Sequence, residues 1–564
     1  MAILIILGLI LAACGASQGS PSTGASEPVD GSAPPSDGGT ATGGTVRIGW
    51  GGSPDSLNPG NGVLAESYTL YPLMYDVPID ITSDGEYVPE LASAWDVSDD
   101  GLTWTLTIVE DATFHDGEPL TAEDVAYSLQ LYKDTEEFPF LPSYASYFET
   151  IEAPDATTVV LTTAEPLGNF EANMVFMYII PKHIWENEDD PVAFETLEMI
   201  GSGPFKVAEY SQGEFVELET NADYWQTAAN IDGVIFQTIE NPDARATALT
   251  TPGGVDAITE FPATAVSTLQ NDDNVTVHIA DIAAGGAFRD VFFNVVSDED
   301  CPPDDGVCTG HPALRDLAVR QALATAMDKQ QIIDVATLGT GSPGLSVVPP
   351  GLGDFYAGGV QDYAYDIAAA NTLLDEAGYE DTDGDGVREC LADQDCDDLT
   401  FRFNYADDID TAPRESELIQ GMWAEVGVAV EIQGLDPDTL TSVCCPSFDY
   451  DVMLWGWGSD PDPAFLLGVA LCSEIPSGFS ETGYCNPDFD DLYDRQGVET
   501  DPDARIELIR EMQQILVEDV PYIIPYYQVT IEAWRNDTFT GWLENDPTLG
   551  LTDSASLINL RPAE

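Results

Sequence analysis

Aspartates set beside tryptophans are the residues in this chain whose types and spacing most directly suggest chemistry. Tyr450-Asp451-Val452-Met453-Leu454-Trp455-Gly456-Trp457-Gly458-Ser459-Asp460-Pro461-Asp462-Pro463 begins as an apolar strand and ends among glycines, prolines and carboxylates. Rings offer apolar faces and carboxylates attract positive charge, so the loop has the make-up of a ligand wall. The plainer interpretation is a core tryptophan pair followed by a solvated acidic turn.

A second cluster is Asp381-Thr382-Asp383-Gly384-Asp385-Gly386-Val387-Arg388-Glu389. It follows the spacing of a calcium loop. Asp381, Asp383 and Asp385 stand at positions one, three and five, a glycine at six, the Val387 carbonyl at seven and Glu389 at nine. Position twelve is Ala392 instead of a bidentate glutamate, with Asp393 one residue late. The competing interpretation is an acidic surface turn, and any calcium here would be structural. Zinc is disfavoured: no Cys-x-x-Cys occurs, and the four histidines are scattered. Nor is there a His-Glu-x-x-His, or a Gly-x-Ser-x-Gly set between a strand and a helix.

These sites need a scaffold, and 564 residues exceed one ordinary core, so two or three domains are expected. The net charge of -84, with only 17 Lys+Arg, argues against nucleic acid and anionic membrane surfaces as partners. It favours cationic or zwitterionic ligands and suits a salt-rich habitat. Residues 2–13 are apolar and lead into Leu11-Ala12-Ala13-Cys14-Gly15, which looks like a bacterial lipobox without a basic n-region. Cys14 would carry the lipid. Residues 15–44, rich in Gly, Ser, Thr and Pro, would be a flexible tether holding the folded part outside the membrane. The other cysteines suit an oxidising compartment. Local pairing is expected for Cys301 with Cys308 and for Cys390 with Cys396. Adjacent Cys444 and Cys445 are expected to bond to Cys472 and Cys485, in either order.

Several blocks then follow in a telling order. They are Pro89-Glu90-Leu91-Ala92 with Trp95; Asp100-Gly101-Leu102-Thr103-Trp104; and Phe114-His115-Asp116-Gly117, followed by a helix capped by Thr121 and Asp124. Next come Gly201-Ser202-Gly203-Pro204-Phe205, Asn221-Ala222-Asp223-Tyr224-Trp225 and the strand Asp290-Val291-Phe292-Phe293-Asn294-Val295. An amphipathic helix over 314–328 contains Val319-Arg320-Gln321-Ala322-Leu323. Helices are also read over 366–377, capped by Asp366 and closed by Gly378, and from Pro502 to Pro521. From about residue 45 to the end, the chain resembles the family-5 extracellular solute-binding proteins of ABC importers, the oligopeptide-, dipeptide- and nickel-binding group.

The resemblance implies an α/β fold of the periplasmic-binding-protein type II, two lobes around a hinge cleft with an extra inserted domain. It divides the chain into 1–14 signal, 15–44 tether, 45–85 and 200–288 lobe I, 86–199 inserted domain, 289–530 lobe II and 531–564 a return to lobe I. It implies a receptor and not an enzyme, with His115 in a structural turn. It requires no cofactor, calcium apart. In the family's peptide binders an aspartate just after the Trp-rich strand end pairs with the ligand's α-ammonium group. Asp460 has that place here, and Asp462 competes for it. Trp457 and Trp455 would be apolar walls, with Trp455 the one more suited to the core. Phe293 and Asn294 are candidates for the cleft base, and Arg402 and Arg414 for a ligand carboxylate. The partners implied are a peptide or small-molecule ligand and a membrane permease with its ATPase subunits. The protein would be a lipid-anchored monomer in the cell envelope. An oligosaccharide or nickel complex as ligand, a secreted calcium-stabilised hydrolase and a chemoreceptor partner are the alternatives.

Overall fold

A computed structural model describes residues 43–563 apart from 83–84, 196–198, 281–285, 304–305, 408, 459, 478 and 544–549. The apolar leader, Cys14 and nearly all of the tether lie outside the described residues.

Two large mixed sheets carry the fold. The first has the strand order Val275–Ile279, Ile531–Arg535, Ala257–Thr259, Thr45–Trp50, Gly233–Thr238, Phe215–Thr220, Phe205–Ser211. Thr45–Trp50 is its axis, with a parallel neighbour on each side. Val46 and Ile48 are fully buried, as period-two alternation places them on one face. The second sheet runs Ser342–Pro343, Tyr522–Tyr527, Ala287–Phe293, Val452–Gly458, Thr400–Ala406, Ala429–Leu435. Its central strand buries apolar side chains on both faces because both are covered, with Arg289 and Asp290 the charged residues among them. Val291 and Phe293 enter one core cluster, Phe288 and Phe292 the other.

A smaller antiparallel sheet, Ala92–Val97, Thr103–Ile108, Thr158–Thr163 and Phe148–Asp155, packs with the helix Ala122–Asp134 around a core of its own. That helix starts with the expected capping box: Asp124 accepts from the backbone N–H and hydroxyl of Thr121.

The chain passes between the large sheets twice, at neighbouring places. It leaves the first sheet after Ile279 and enters the second at Ala287. It leaves the second after Tyr527 and re-enters the first at Ile531. The two passages are bonded to one another, Ala280 N–H to the Thr530 carbonyl at 3.0 Å and Gln528 N–H to the Ala287 carbonyl at 2.9 Å. Paired crossings between two sheets are where two lobes can hinge.

Several sequence blocks meet at one junction between the first sheet and the small sheet. Buried Asp76 accepts from Tyr224 Oη at 2.8 Å and Trp225 Nε1 at 3.0 Å. Glu90 accepts from Val77 N–H at 3.2 Å. His115 clamps the Gly201–Gly203 turn, its Nδ1 accepting from Gly201 N–H at 3.2 Å and its Nε2 lying 3.1 Å from the Gly203 carbonyl. Burial pushes the His115 imidazole down to about 4, so it is neutral. The Gly-Ser-Gly block is a packing device: a Cβ on Gly201 would stand 1.9 Å from the Met74 carbonyl oxygen. Gly201→Ala is therefore expected to lower stability by about 1–3 kcal/mol or more. Denaturant midpoints check this, and an unchanged midpoint would refute the packing role.

The helix expected over 314–328 is interrupted. A 3₁₀ turn covers Pro312–Arg315, and Asp316 then caps a helix over Leu317–Thr325 by accepting from Ala318 N–H. Arg320, inside the Val-Arg-Gln-Ala-Leu block, is buried. It donates to the Asp519, Val520 and Leu314 carbonyls at 2.7–3.1 Å. It thus caps the C-terminal end of the helix Pro502–Asp519, where carbonyls lack intrahelical partners.

Cys301–Cys308 and Cys390–Cys396 are bonded locally. The other four cysteines pair differently from expectation: Cys444 with its neighbour Cys445, and Cys472 with Cys485. The chain between Cys472 and Cys485 loops back to bring their Cα atoms within 4.4 Å, and Cys444 is wholly buried in the core beneath.

Candidate functional site

Asp460 follows the strand Val452–Gly458 directly, at the C-terminal end of the second sheet, where loops leave the framework free to carry ligands. Its Oδ2 accepts from Tyr144 Oη at 2.6 Å. Tyr144 lies on the short helix Leu141–Ala145 beside the small sheet, so the bond joins two separate bodies of the fold. No Lys, Arg or His among the described residues is ion-paired with Asp460, and burial raises its carboxyl to about 6. Tyr144 and then Asp462 act on it in opposite directions, the hydrogen bond lowering and the like charge raising. Burial, and then the charge of Asp460, hold the Tyr68 phenol well above its ordinary range. The arrangement is a carboxylate in water-poor surroundings with phenols around it, which is the electrostatic setting in which a cation is held strongly.

Aromatic rings frame this acid. Phe465 is the hub, its ring 6.2 Å from Trp457, 6.1 Å from Phe140 and 6.4 Å from Tyr144. Trp457 is half-buried and donates Nε1 to Glu481 Oε1 at 2.9 Å. Trp455 is half-buried against the core of the second sheet.

Asp462 does something else. Both its oxygens accept from Arg505, at 2.6 and 2.7 Å, and the side chains are only 5% and 6% exposed. Gln496 Oε1 completes the guanidinium's partners at 2.9 and 3.1 Å. A carboxylate committed to a bidentate arginine is not open to a ligand, so Asp462 positions the loop and Asp460 alone is left facing the rings. Phe293 and Asn294 are also misplaced by the sequence reading. Phe293 is fully buried, stacked 6.2 Å from Trp423. Asn294 is 1% exposed and its amide donates to the Phe448 and Tyr450 carbonyls at 2.8 Å each. Both lie inside the sheet's core and not at the cleft surface, because the central strand is covered on both faces.

The arginines at the cleft are not the expected ones. Arg402 is bound to Asp449 and Asp451, and Arg414 pairs along its own helix with Glu417. A cavity of about 610 Å³ lies between the two large sheets beside the hinge. It takes Arg245 and Glu260 from one side and Arg289, Thr411 and Tyr526 from the other. Arg289 sits 3.5 Å from the buried Glu415 and gives Nη1 to the Trp455 carbonyl. An arginine in a strand that is mostly apolar apart from its neighbour Asp290, in a chain so poor in basic residues, was the available signal. Tyr144 carried none, being 316 residues from Asp460.

The acidic loop brings three of its five expected ligands together. Carboxylate oxygens of Asp381, Asp383 and Asp385 lie within 4.8 Å of one another. Glu389 turns inward instead, accepting from Thr382 N–H, Thr382 Oγ1 and Asp383 N–H at 2.6–3.1 Å. The N–H of Val387 donates to Asp385. The three aspartates are a hard-oxygen donor set of the calcium kind.

Residues 86–475 match the sequence pattern of the bacterial extracellular solute-binding proteins, family 5, middle region. Protein XP55 of Streptomyces lividans is 30% identical over 528 residues, covering 92% of this chain and 90% of its own. The oligopeptide-binding protein AppA of Bacillus subtilis is 27% identical over 543 residues, 93% of this chain and 92% of that one. The structure of AppA from Bacillus subtilis in complex with a nonapeptide superposes with a TM-score of 0.79 at 23% identity, covering 93% of this chain and all of that one (100%).

Proposed function

The chain belongs to family 5 of the bacterial extracellular solute-binding proteins, a family of binding proteins and not enzymes, and from that premise we propose that it captures short peptides. The ligand's ammonium group sits on Asp460, between Trp457 and Tyr144. The observation that carries this reading is the carboxylate itself, half-buried against Tyr144, raised to about 6 and with no basic side chain among the described residues paired to it. An arriving ammonium joins or displaces the Tyr144 hydroxyl, and the Arg245/Arg289 cavity receives the rest of the ligand. Contacts to both large sheets favour the closed arrangement of the hinge, so binding shifts the open–closed population. The closed form delivers its ligand to a membrane permease driven by paired ATPases. Lipidation at Cys14 keeps the receptor on the outer side of that membrane. The neighbours' binding of oligopeptides and dipeptides supports the ligand class.

Native mass spectrometry of the chain without residues 1–44, purified from a peptide-rich medium, tests the proposal. A heterogeneous set of bound masses matching short peptides is expected, absent in Asp460→Ala. One discrete non-peptide mass, unaffected by Asp460→Ala, would move the ligand to another solute and remove the ammonium contact.

A further inference from the structure

Asp290 is a wholly buried acid in the central strand Ala287–Phe293, and neither of its carboxylate oxygens has a hydrogen-bond partner among the described residues. Strand alternation puts it on the same face as Phe288 and Phe292. Arg289 belongs to the opposite face, where it meets Glu415 at 3.5 Å. A second acid is folded over the Asp290 face. Glu481 lies in the loop closed by Cys472–Cys485, and Val295 N–H ties that loop to the strand's end by donating to the Thr482 carbonyl at 2.8 Å.

Glu481 is bonded to residues on both sides of Asp290. Its Oε1 accepts from Trp457, which stands opposite Phe288. Its carbonyl accepts from the Tyr450 hydroxyl, and the Tyr450 ring packs 5.7 Å from Phe292. Glu481 is 5% exposed and its Oε2 has no partner among the described residues. Tyr522, opposite Phe292 on the other flanking strand, is 8% exposed, and its hydroxyl has none either. The three groups are close enough to act on one another. Burial, then the charge of Asp290, holds the Glu481 carboxyl well above its ordinary range. Burial, then the charges of Glu481 and Asp290, does the same to the Tyr522 phenol. No Lys, Arg or His among the described residues is hydrogen-bonded to either acid.

We propose that Asp290 and Glu481, with the Tyr522 hydroxyl, form a buried site for a hard divalent cation, calcium by charge and ligand type, beneath the Trp457 ring. Buried carboxylates are costly unless paired or bound to a metal, and a divalent ion neutralises this pair in one step. The donors are all oxygens, with no sulfur or imidazole among them, which suits calcium. The ion keeps Glu481 a carboxylate and so keeps the Trp457 Nε1 bond, steadying a ring of the ligand wall from below. The site is separate from the Asp381–Asp385 loop and requires no peptide.

The test uses purified protein in which Asp381→Asn, Asp383→Asn and Asp385→Asn silence the acidic loop, in about 1 M potassium chloride to screen the surface acids. Calcium is counted by equilibrium dialysis, and terbium luminescence excited through tryptophan reports an ion beside Trp455 and Trp457. About one calcium ion per chain is expected, with terbium emission that calcium suppresses. The melting midpoint is expected to be at least about 2 °C higher in calcium than in chelator. Asp290→Asn and Glu481→Gln should each weaken calcium binding at least about tenfold and abolish the emission. No calcium bound, with one midpoint in calcium and chelator, would mean that protons neutralise the pair, and the proposal falls. Calcium binding that both substitutions leave unchanged would overturn it as well. Should either variant fail to fold, the other decides; should both fail, the ion count and terbium signal of the loop-silenced protein decide.

Discussion

Asp462→Ala is expected to lower folding stability by about 3–5 kcal/mol, the cost of leaving a buried charge unpaired. The stranded group is Arg505, 5% exposed and held by two short bonds from Asp462. Gln496 cannot neutralise it, because an amide oxygen carries no charge. The double substitution Asp462→Leu with Arg505→Met is expected to recover most of the loss, since a well-packed apolar pair replaces a buried ion pair at little cost. Denaturant unfolding of the three variants checks both statements. A single variant within about 1 kcal/mol of wild type would show that water reaches the guanidinium, and the pair would then be no anchor.

Asp460→Ala, by contrast, is expected to spare the fold and remove binding. Loss of a desolvated ammonium–carboxylate contact of about 3–5 kcal/mol weakens a peptide ligand by more than about a hundredfold. Affinity for peptide is also expected to fall about tenfold between pH 7.5 and pH 5, because the carboxyl, raised to about 6, must be charged to hold the ammonium. The stability of the empty protein runs the other way. A carboxyl whose folded value lies above its ordinary one costs stability progressively as pH rises from about 4 to about 6, and the cost is constant above that. Asp460→Asn should therefore be at least as stable as wild type at pH 8 while failing to bind. Calorimetric titrations across pH, paired with melts of the ligand-free proteins, separate the two effects. A pH-independent affinity in the wild type would remove Asp460 from the contact.

The framework was legible where residues act on their own neighbourhood in sequence. Strand alternation at Val46 and Ile48, the capping box at Thr121 and the caps at Asp366 and Gly378 are local signals, and the structure holds each of them. The Trp-rich strand end also announced Asp460 as a loop acid. What stayed hidden needs distant partners. Asp462 reads like Asp460 until Arg505, far along the chain, is seen folded against it. Phe293 ends, and Asn294 directly follows, a strand whose coverage on both faces depends on helices from other segments. Arg320 is unremarkable in a helix pattern, yet its partners are the last carbonyls of a helix that starts at Pro502. Cys444 was expected to reach across to a distant partner, and the return of the 472–485 loop to itself was not readable from spacing.

The strand Ile531–Arg535 lies between Val275–Ile279 and Ala257–Thr259 in the first sheet. Val275–Ile279 is an edge strand whose one sheet neighbour is that late segment. That edge of the first sheet thus stays unpaired until residues 531–535 have been made. Such long-range closure is slow, so a chain still being synthesised keeps this edge of the sheet unfinished. A chain stopped before Ile531 would leave Val275–Ile279 with an unpaired row of backbone groups, a surface for aggregation and not for ligand.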